Sequence, residues 1–206
     1  MEPDEPMDSI DEDVALMRRT QAGEPRAFER LFQRHARPVM NFVRRFAPSH
    51  AVAEEWTQDV FLKVYRARDS WEPRAKFRTF VLRVATNHCL NELRRGVHRA
   101  HHESMDAQSS SDEAPRHELV SDAAGSDALV HAGRLSVAVD QAIQSLPDNQ
   151  RAALLLLRFD GQSYEEIGVA LNMSVPAIKS LLNRAKTSLR SRLGAFLGAE
   201  DELPVL

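Results

Sequence analysis

Residues 174–193 have the sequence "SVPAIKSLLNRAKTSLRSRL". Its apolar residues recur every three or four positions, which predicts a helix with one buried side. On a helical wheel five apolar residues lie within about 60° of Ile178; they are Val175, Leu181, Leu182, Ala185 and Leu189. Ser174 is suited to cap the helix and Pro176 to its first turn. The opposite side is polar and basic, so this helix is a candidate for binding an anionic partner.

A second short helix is predicted just upstream, in "SYEEIGVALNM", residues 163–173. Ser163 and Glu166 have the spacing of a capping box, and Asn172 can adopt the left-handed conformation of a tight turn. Two such helices, the second basic on its outer side, predict a helix-turn-helix that presents its second helix to the major groove of DNA. The alternative is an ordinary helical hairpin whose basic side chains are solvated.

Charged residues are unevenly distributed, although the formal net charge is only −3. Residues 1–13 contain seven acids and no base, whereas residues 17–99 contain eighteen Lys and Arg against eight Asp and Glu. Residues 103–140 are again acidic, and residues 147–192 carry seven bases against four acids. Two basic blocks separated by acidic stretches indicate a protein that binds a polyanion.

Helical periodicity dominates the chain and strand signals are nearly absent, so we predict an all-α fold. Between residue 100 and about 128 aliphatic residues are few and Ser, Asp and Ala are frequent, which is typical of a flexible linker. We therefore expect two small helical domains joined by a flexible acidic linker. The expected boundaries are an acidic disordered tail at 1–13, a first domain at 14–99, the linker at 100–128, a second domain at 129–197 and an acidic tail at 198–206.

Several classes of protein are disfavoured by the sequence. The single Cys89 excludes an internal disulfide and fits a reducing compartment. A secretory signal is absent and the longest apolar run, residues 152–157, is too short to span a bilayer, so we expect a cytoplasmic protein without direct membrane insertion. Nucleophile elbows and glycine-rich phosphate loops are also absent, so we expect no enzyme and no cofactor. His98, His101 and His102 lack a second ligand pair, so we expect no metal.

The segment "WEPRAKFRTFVLRVATNHCLNELRRGVHR", residues 71–99, combines a helical core stripe with basic and aromatic residues. Cations follow phosphates, aromatic rings stack on bases, and amides such as Asn87 and Asn91 read base edges. The pattern is therefore typical of a surface for single-stranded nucleic acid. For Phe77 and Phe80, burial in the core is the commoner use.

The segment "AVAEEWTQDVFLKVYRARDS", residues 51–70, predicts an amphipathic helix. Its expected buried stripe consists of Val52, Trp56, Val60 and Val64. The other faces mix acid, amide and apolar groups, namely Glu55, Gln58, Asp59, Leu62 and Tyr65. Such a mixture is either a solvated face or a surface on which a partner docks.

Taken together, these segments resemble a bacterial RNA polymerase sigma factor of the extracytoplasmic-function type. Within residues 14–99, "AFERLFQRHARPVMNFVRRF" is similar to the start of sigma region 2, "AEEWTQDVFLKVYRA" to its polymerase-binding helix and "KFRTFVLRVATNHCLNELRR" to its promoter-opening segment. "LPDNQRAALLLLRFDGQSYEEIGVALNMSVPAIKSLLNRAKTSL", within residues 136–193, resembles sigma region 4. The resemblance implies a transcription initiation factor that binds core RNA polymerase, recognises two promoter elements and promotes promoter melting.

The resemblance also implies roles for particular residues. The surface that binds core RNA polymerase, through its β′ and β subunits, would comprise Glu55, Gln58, Asp59, Leu62 and Tyr65. Capture of the single strand at the minus-ten element would use Arg78, Asn87, His88, Asn91, Arg94 and Arg95. Binding of duplex DNA at the minus-thirty-five element would use Lys179, Ser180, Asn183, Arg184 and Lys186. An anti-sigma factor is a further expected partner, because members of this family are usually held inactive by one.

The recognition helix departs from the family pattern. The typical sequence has Gly-Thr before Val-Lys-Ser-Arg, whereas this chain has "PAIKSL" at residues 176–181, so the family's promoter sequence is not carried over. The main alternative is a helix-turn-helix repressor or activator that does not direct initiation, and a second is a regulator that binds polymerase without DNA. The basic, amide-rich segment at residues 71–95 argues against the repressor, because a sensor domain has no need for it.

Overall fold

The computed structural model describes residues 7–106 and 127–194, with side chains over 12–97, 135–158 and 161–194. Over these ranges the chain forms eight α-helices and one 3-10 turn without any β-strand, which confirms the all-α prediction. No helix in these ranges is long and apolar enough to cross a membrane. The chain divides into two compact units between Asn91 and Glu92.

The first unit is built from the N-terminal helices. It contains α1 (Met7–Gln21), α2 (Pro25–Val43), α3 (His50–Arg66), a 3-10 turn (Arg68–Ser70) and the first part of α4 (Phe77–Asp106). Helix α2 packs against both α1 and α3. The core side chains include Leu31, Val39, Phe42, Val60, Val64, Phe77 and Val81. Burial of these stripes stabilises the helices, because most of the stability of a helix in a protein comes from packing of its apolar face.

The structure differs from the expected acidic tail, because residues 7–13 belong to α1. Two acidic residues of this segment, Glu12 and Asp13, contact α2. His35 Nε2 lies 2.7 Å from Asp13 Oδ2, with both residues buried, and Arg34 Nη1 lies 2.6 Å from Glu12 Oε2. These carboxylates contact Arg34 and His35 of the next helix, a role that the composition of the segment does not reveal.

Both ends of the segment predicted to be the linker, residues 100–128, are also helical. Helix α4 continues to Asp106 and α5 begins at Asp127, so residues 100–106 and 127–128 are helical. The remaining part of the expected linker, residues 107–126, and the expected C-terminal tail at 198–206 lie outside the described residues. The predicted domain boundaries there stay predictions.

The second unit contains the rest of α4 followed by α5 (Asp127–Gln144), α6 (Asp148–Asp160), α7 (Tyr164–Leu171) and α8 (Val175–Leu193). Pro147 is the N-cap residue of α6 and separates it from α5. Helix α8 packs against α5, α6 and α7 through its buried side. The core includes Leu155, Leu156, Ile167, Ile178, Leu182 and Leu189.

The turn between α7 and α8 has the predicted chemistry. The Ser163–Glu166 capping box is formed, with Glu166 N donating to Ser163 Oγ at 3.2 Å and Ser163 N donating to Glu166 Oε2 at 2.8 Å. Asn172 ends α7 with a φ of 53°, in the left-handed region. Met173 N donates to the Gly168 carbonyl at 2.9 Å, and a Cβ at Gly168 would lie 2.8 Å from the Met173 carbonyl oxygen. The turn therefore requires glycine at position 168.

We expect Gly168→Ala to destabilise the second unit by about 1–3 kcal/mol, because the added methyl group meets main-chain atoms that cannot rotate away. Gly96→Ala is the control: a Cβ there meets nothing within 4 Å, and replacing a helical glycine stabilises by up to about 1 kcal/mol. Thermal unfolding followed by circular dichroism compares the two. Equal stability of both variants would contradict the close approach at Gly168.

Candidate nucleic-acid and polymerase interfaces

One side of α3 carries all five residues predicted to bind polymerase. They span about 120° of the helix circumference, and all are exposed except Asp59, which is half-buried. The opposite side is buried through Ala53, Thr57, Val60, Phe61 and Val64. The predicted stripe is therefore confirmed at Val60 and Val64, whereas Val52 and Trp56 are only half-buried. The cap is Ser49, whose Oγ accepts from Val52 N at 3.2 Å.

Aromatic contacts hold the C-terminal end of this surface. The Tyr65 ring lies 5.0 Å from the Phe28 ring of α2, and the Arg68 guanidinium lies 4.2 Å above the Tyr65 ring. Phe32 of α2 contacts Phe61 at 4.8 Å and is itself 38% exposed. Leu62 is 50% exposed. The apolar part of the surface thus extends onto α2, which the analysis of α3 alone did not predict.

One side of α4 combines amide, aromatic and basic side chains. Asn87 and Asn91 are exposed one turn apart. Phe80 and Arg83 lie on the same side, with the Arg83 guanidinium 5.6 Å from the centre of the half-buried Phe80 ring. These are the group types that bind single-stranded nucleic acid. Phe80 and Arg83 were absent from the predicted site residues, although their helical spacing to Asn87 is a signal that identifies them.

The other predicted minus-ten residues do not all share that side. Arg78 lies about 180° from Asn87 around the helix and is half-buried, so the structure does not place it beside the amides. Arg94 and Arg95 are exposed farther along α4, and Arg95 Nη1 lies 2.6 Å from Glu92 Oε1.

His88 is placed in the core, with only 2% of the residue exposed. Lys63 Nζ donates to its Nδ1, its Nε2 lies 3.7 Å from Asp59 Oδ2, and its ring meets Trp56 edge-on at 5.8 Å. The expected contact of His88 with DNA is therefore corrected. His88 follows Asn87 directly and is therefore rotated by about 100° around α4. This rotation points the imidazole towards α3, so that it links α3 and α4.

We expect His88→Leu to lower the free energy of unfolding by about 1–3 kcal/mol, because it removes the contacts that join the buried imidazole to Lys63 and Asp59 of α3. Asn87→Ala is the control: the residue is exposed and its loss should change stability by no more than about 0.5 kcal/mol. Urea unfolding followed by tryptophan fluorescence measures both, since Trp56 contacts the imidazole. A leucine variant as stable as the parent would exclude a stabilising role for this link.

The outer side of α8 carries all five residues predicted to bind duplex DNA, and each of them is exposed. The buried side consists of Ile178, Leu182, Ala185, Leu189 and Leu193. Pro176 lies in the first turn as predicted, and Ser174 is the N-cap residue, although its side chain makes no capping hydrogen bond. Lys179 Nζ lies 5.8 Å from the ring centre of Tyr164 in α7, a neighbour that sequence analysis missed. Leu181, which replaces the family's arginine, is half-buried.

The side chains of His98, His101 and His102 lie outside those that the structure describes. Across the described side chains, no group of three or more His, Cys, Asp and Glu residues could hold a metal ion. Cys89 is a buried free thiol. The expectation of no metal site stays a prediction.

Family models match both units. Residues 31–99 match Sigma-70 region 2 and residues 136–189 match Sigma-70, region 4. The chain is 31% identical over 184 residues to the ECF RNA polymerase sigma-E factor of Escherichia coli K12, which covers 88% of this chain and 94% of that protein. It is 28% identical over 187 residues to the RNA polymerase sigma-H factor of Pseudomonas aeruginosa, covering 91% and 96% of the two chains.

Solved structures share the fold. CnrH, solved in complex with the cytosolic domain of CnrY, superposes with a TM-score of 0.61 at 23% identity, over 89% of this chain and 98% of that one. The sigma factor RpoE of Bartonella quintana, solved with the anti-sigma factor NepR, gives a TM-score of 0.59 at 21% identity, over 81% and 96%.

A helix-turn-helix unit and a second helical unit, each matching its own sigma region, define a transcription initiation factor. The chain belongs to the sigma-70 family, as a sigma factor of the extracytoplasmic-function type. Members of this family bind core RNA polymerase and promoter DNA, and as a family they are not enzymes. The alternative of a repressor or activator that does not direct initiation is not favoured.

Proposed function

We propose that three exposed helix faces of this sigma factor each bind a different partner during transcription initiation. The α3 face docks on core RNA polymerase, the α4 face holds the unpaired strand of the minus-ten element, and the outer side of α8 binds the minus-thirty-five duplex. The observation that carries the proposal is that each face is mostly exposed and carries polar side chains, while the other side of the same helix is buried.

Docking on polymerase would use both kinds of group on the α3 face. Leu62 and Tyr65 offer apolar surface, and ring contacts with Phe28 and Arg68 hold Tyr65 in place. Gln58 and Asp59 lie within the same arc and supply directional polar contacts. Few interface residues normally carry most of the binding energy, and pre-ordered aromatic side chains lose little entropy on binding.

Capture of the melted strand would follow from the chemistry of α4. A base leaves the duplex at a cost of a few kcal/mol, so melting persists only where extruded bases gain new contacts. Asn87 and Asn91 can hydrogen-bond to base edges, the Phe80 ring can stack, and Arg83 can neutralise phosphate. Arg94 and Arg95 supply further positive charge along the helix.

Duplex binding would use the first half of α8, because recognition helices contact base edges mainly through their N-terminal residues. Lys179 matches the acceptors of guanine, and Asn183 can make paired hydrogen bonds to adenine. Arg184 and Lys186 would contact phosphates, which position the helix without reading sequence.

We also propose that an anti-sigma protein regulates the chain, since both solved relatives named above are held in complexes, in one case with a protein named as an anti-sigma factor. The identity of that partner does not follow from any residue here. We place the protein in the cytoplasm, where its DNA and polymerase partners are, and assign it no enzyme activity.

The docking assignment predicts that Gln58→Ala combined with Asp59→Ala weakens core-polymerase binding about tenfold or more. Truncation of a side chain that is important for binding costs more than about 1 kcal/mol, and about 1.4 kcal/mol corresponds to a tenfold loss of affinity. The matched control is Gln141→Ala with Gln144→Ala, two exposed glutamines of α5. Titration of labelled protein with core polymerase measures the affinity, and circular dichroism monitors the fold. Unchanged affinity of the first variant would refute the assignment.

The duplex assignment predicts that Lys179→Glu with Arg184→Glu abolishes transcription from promoters that depend on the minus-thirty-five element, because each lost contact costs about 1–3 kcal/mol. Arg190→Glu with Arg192→Glu makes the same charge change on the last turn of α8 and should have a smaller effect. Run-off transcription with reconstituted holoenzyme measures both. Equal losses from the two variants would indicate general charge repulsion in place of a specific contact.

A further inference from the structure

A strip of arginine and amide side chains runs along the outer side of α2. Every member is exposed, and together they occupy an arc of about 80°; they are Arg26, Arg30, Gln33, Arg37, Asn41 and Arg44. The buried residues of α2 lie on the opposite side of the helix. With a rise of 1.5 Å per residue, the strip is about 27 Å long.

Most of the positive charge on this arginine strip has no partner within the described part of the chain. Arg26, Arg37 and Arg44 form no ion pair there, and Arg30 makes one exposed contact, with Glu12 at 3.1 Å. The only carboxylate of α2 itself, Glu29, lies at the edge of the strip. Three guanidinium groups are therefore available to an external anion.

Local stability does not account for the arginine at the start of the strip. Arg26 lies in the first turn of α2, where a positive charge opposes the helix dipole and where no acidic residue compensates. The preceding Glu24 is engaged elsewhere: its hydrogen bond from Arg19, at 2.6 Å, lowers the pKa of the Glu24 carboxyl. Arg44, by contrast, is the C-cap residue, where a cation is favourable.

The composition of the strip selects the kind of anion. Guanidinium groups bind phosphate through paired hydrogen bonds. The exposed rings of the first unit, Phe32 and Tyr65, are not members of the strip, so it lacks the stacking platform that single strands use. A straight row of cations about 27 Å long covers the length of roughly eight base pairs at 3.4 Å each.

We propose that the arginine strip of α2 binds the phosphate backbone of double-stranded promoter DNA without reading its sequence. The proposal rests on the family's promoter binding and is separate from the minus-ten and minus-thirty-five assignments. The strip adds an electrostatic contact that is released by salt, because each neutralised phosphate frees counterions.

The test uses holoenzyme reconstituted with core polymerase and a labelled promoter duplex kept closed in the cold. Affinity is measured by fluorescence anisotropy over a range of salt concentrations. For the variant Arg26→Gln, Arg37→Gln and Arg44→Gln, we expect the slope of log affinity against log salt to become shallower by about 2.7, three phosphates at about 0.9 each. The same change is expected on a duplex of scrambled sequence.

The control replaces the same three arginines with lysine, which keeps the charge and should keep most of the salt slope. Core-polymerase affinity of each variant is measured separately, so that failure of docking is distinguished from failure of DNA binding. An unchanged slope in the glutamine variant overturns the proposal. A single-stranded promoter oligonucleotide is measured in parallel. A slope that changes on this strand and not on the duplex, or a loss confined to core binding, overturns the proposal too, in favour of a strand-binding or protein-binding role.

Discussion

A helix that packs on one side can offer only the other side to a partner, and this constraint organises the whole protein. In α8, burial of Ile178 and Leu182 leaves Lys179 and Asn183 at the surface. The same geometry in α2 puts Leu31 in the core and the arginine strip outside. Because the helical period is fixed, the positions of the core residues determine which residues of the same helix are exposed to a partner. A change in the buried stripe would rotate the functional face as well.

Apolar packing alone does not fix how one helix is rotated relative to its neighbour. In this protein, contacts of buried polar side chains help to fix that rotation. The Asp13–His35 contact joins α1 to α2, and His88 joins α4 to Lys63 and Asp59 of α3. Hydrogen bonds are directional and gain strength in a water-poor interior. A misaligned pair would leave a buried polar group unsatisfied, which is costly. The link from His88 to α3 includes Asp59, which is itself one of the residues proposed for docking.

The sequence predicts well the features that depend on local chemistry. The all-α class, the Ser163–Glu166 capping box, the left-handed Asn172 and most of the buried stripe of α8 follow from spacing and from the conformational range of single residues. The exceptions in that stripe are Val175 and Leu181, which are half-buried. Features that depend on a distant partner were missed. Nothing near Asp13 in the sequence signals His35, and nothing near His88 signals Lys63, so a helical acid was assigned to a tail and a buried imidazole to DNA.

On the proposed assignments, most of the positive charge contacts phosphates, whereas sequence reading depends on a few polar groups. Arginine and lysine contacts to phosphate raise affinity on any sequence, and salt weakens them. Discrimination between promoters would therefore come from the few exposed groups proposed to contact base edges, namely the amides Asn87, Asn91 and Asn183 and the ammonium of Lys179. Leu181 stands where the family pattern has arginine; it is half-buried and has no polar side-chain atom that could hydrogen-bond to a base edge. On the proposed assignment, the contacts of α8 with base edges at the minus-thirty-five element are therefore left to Lys179 and Asn183.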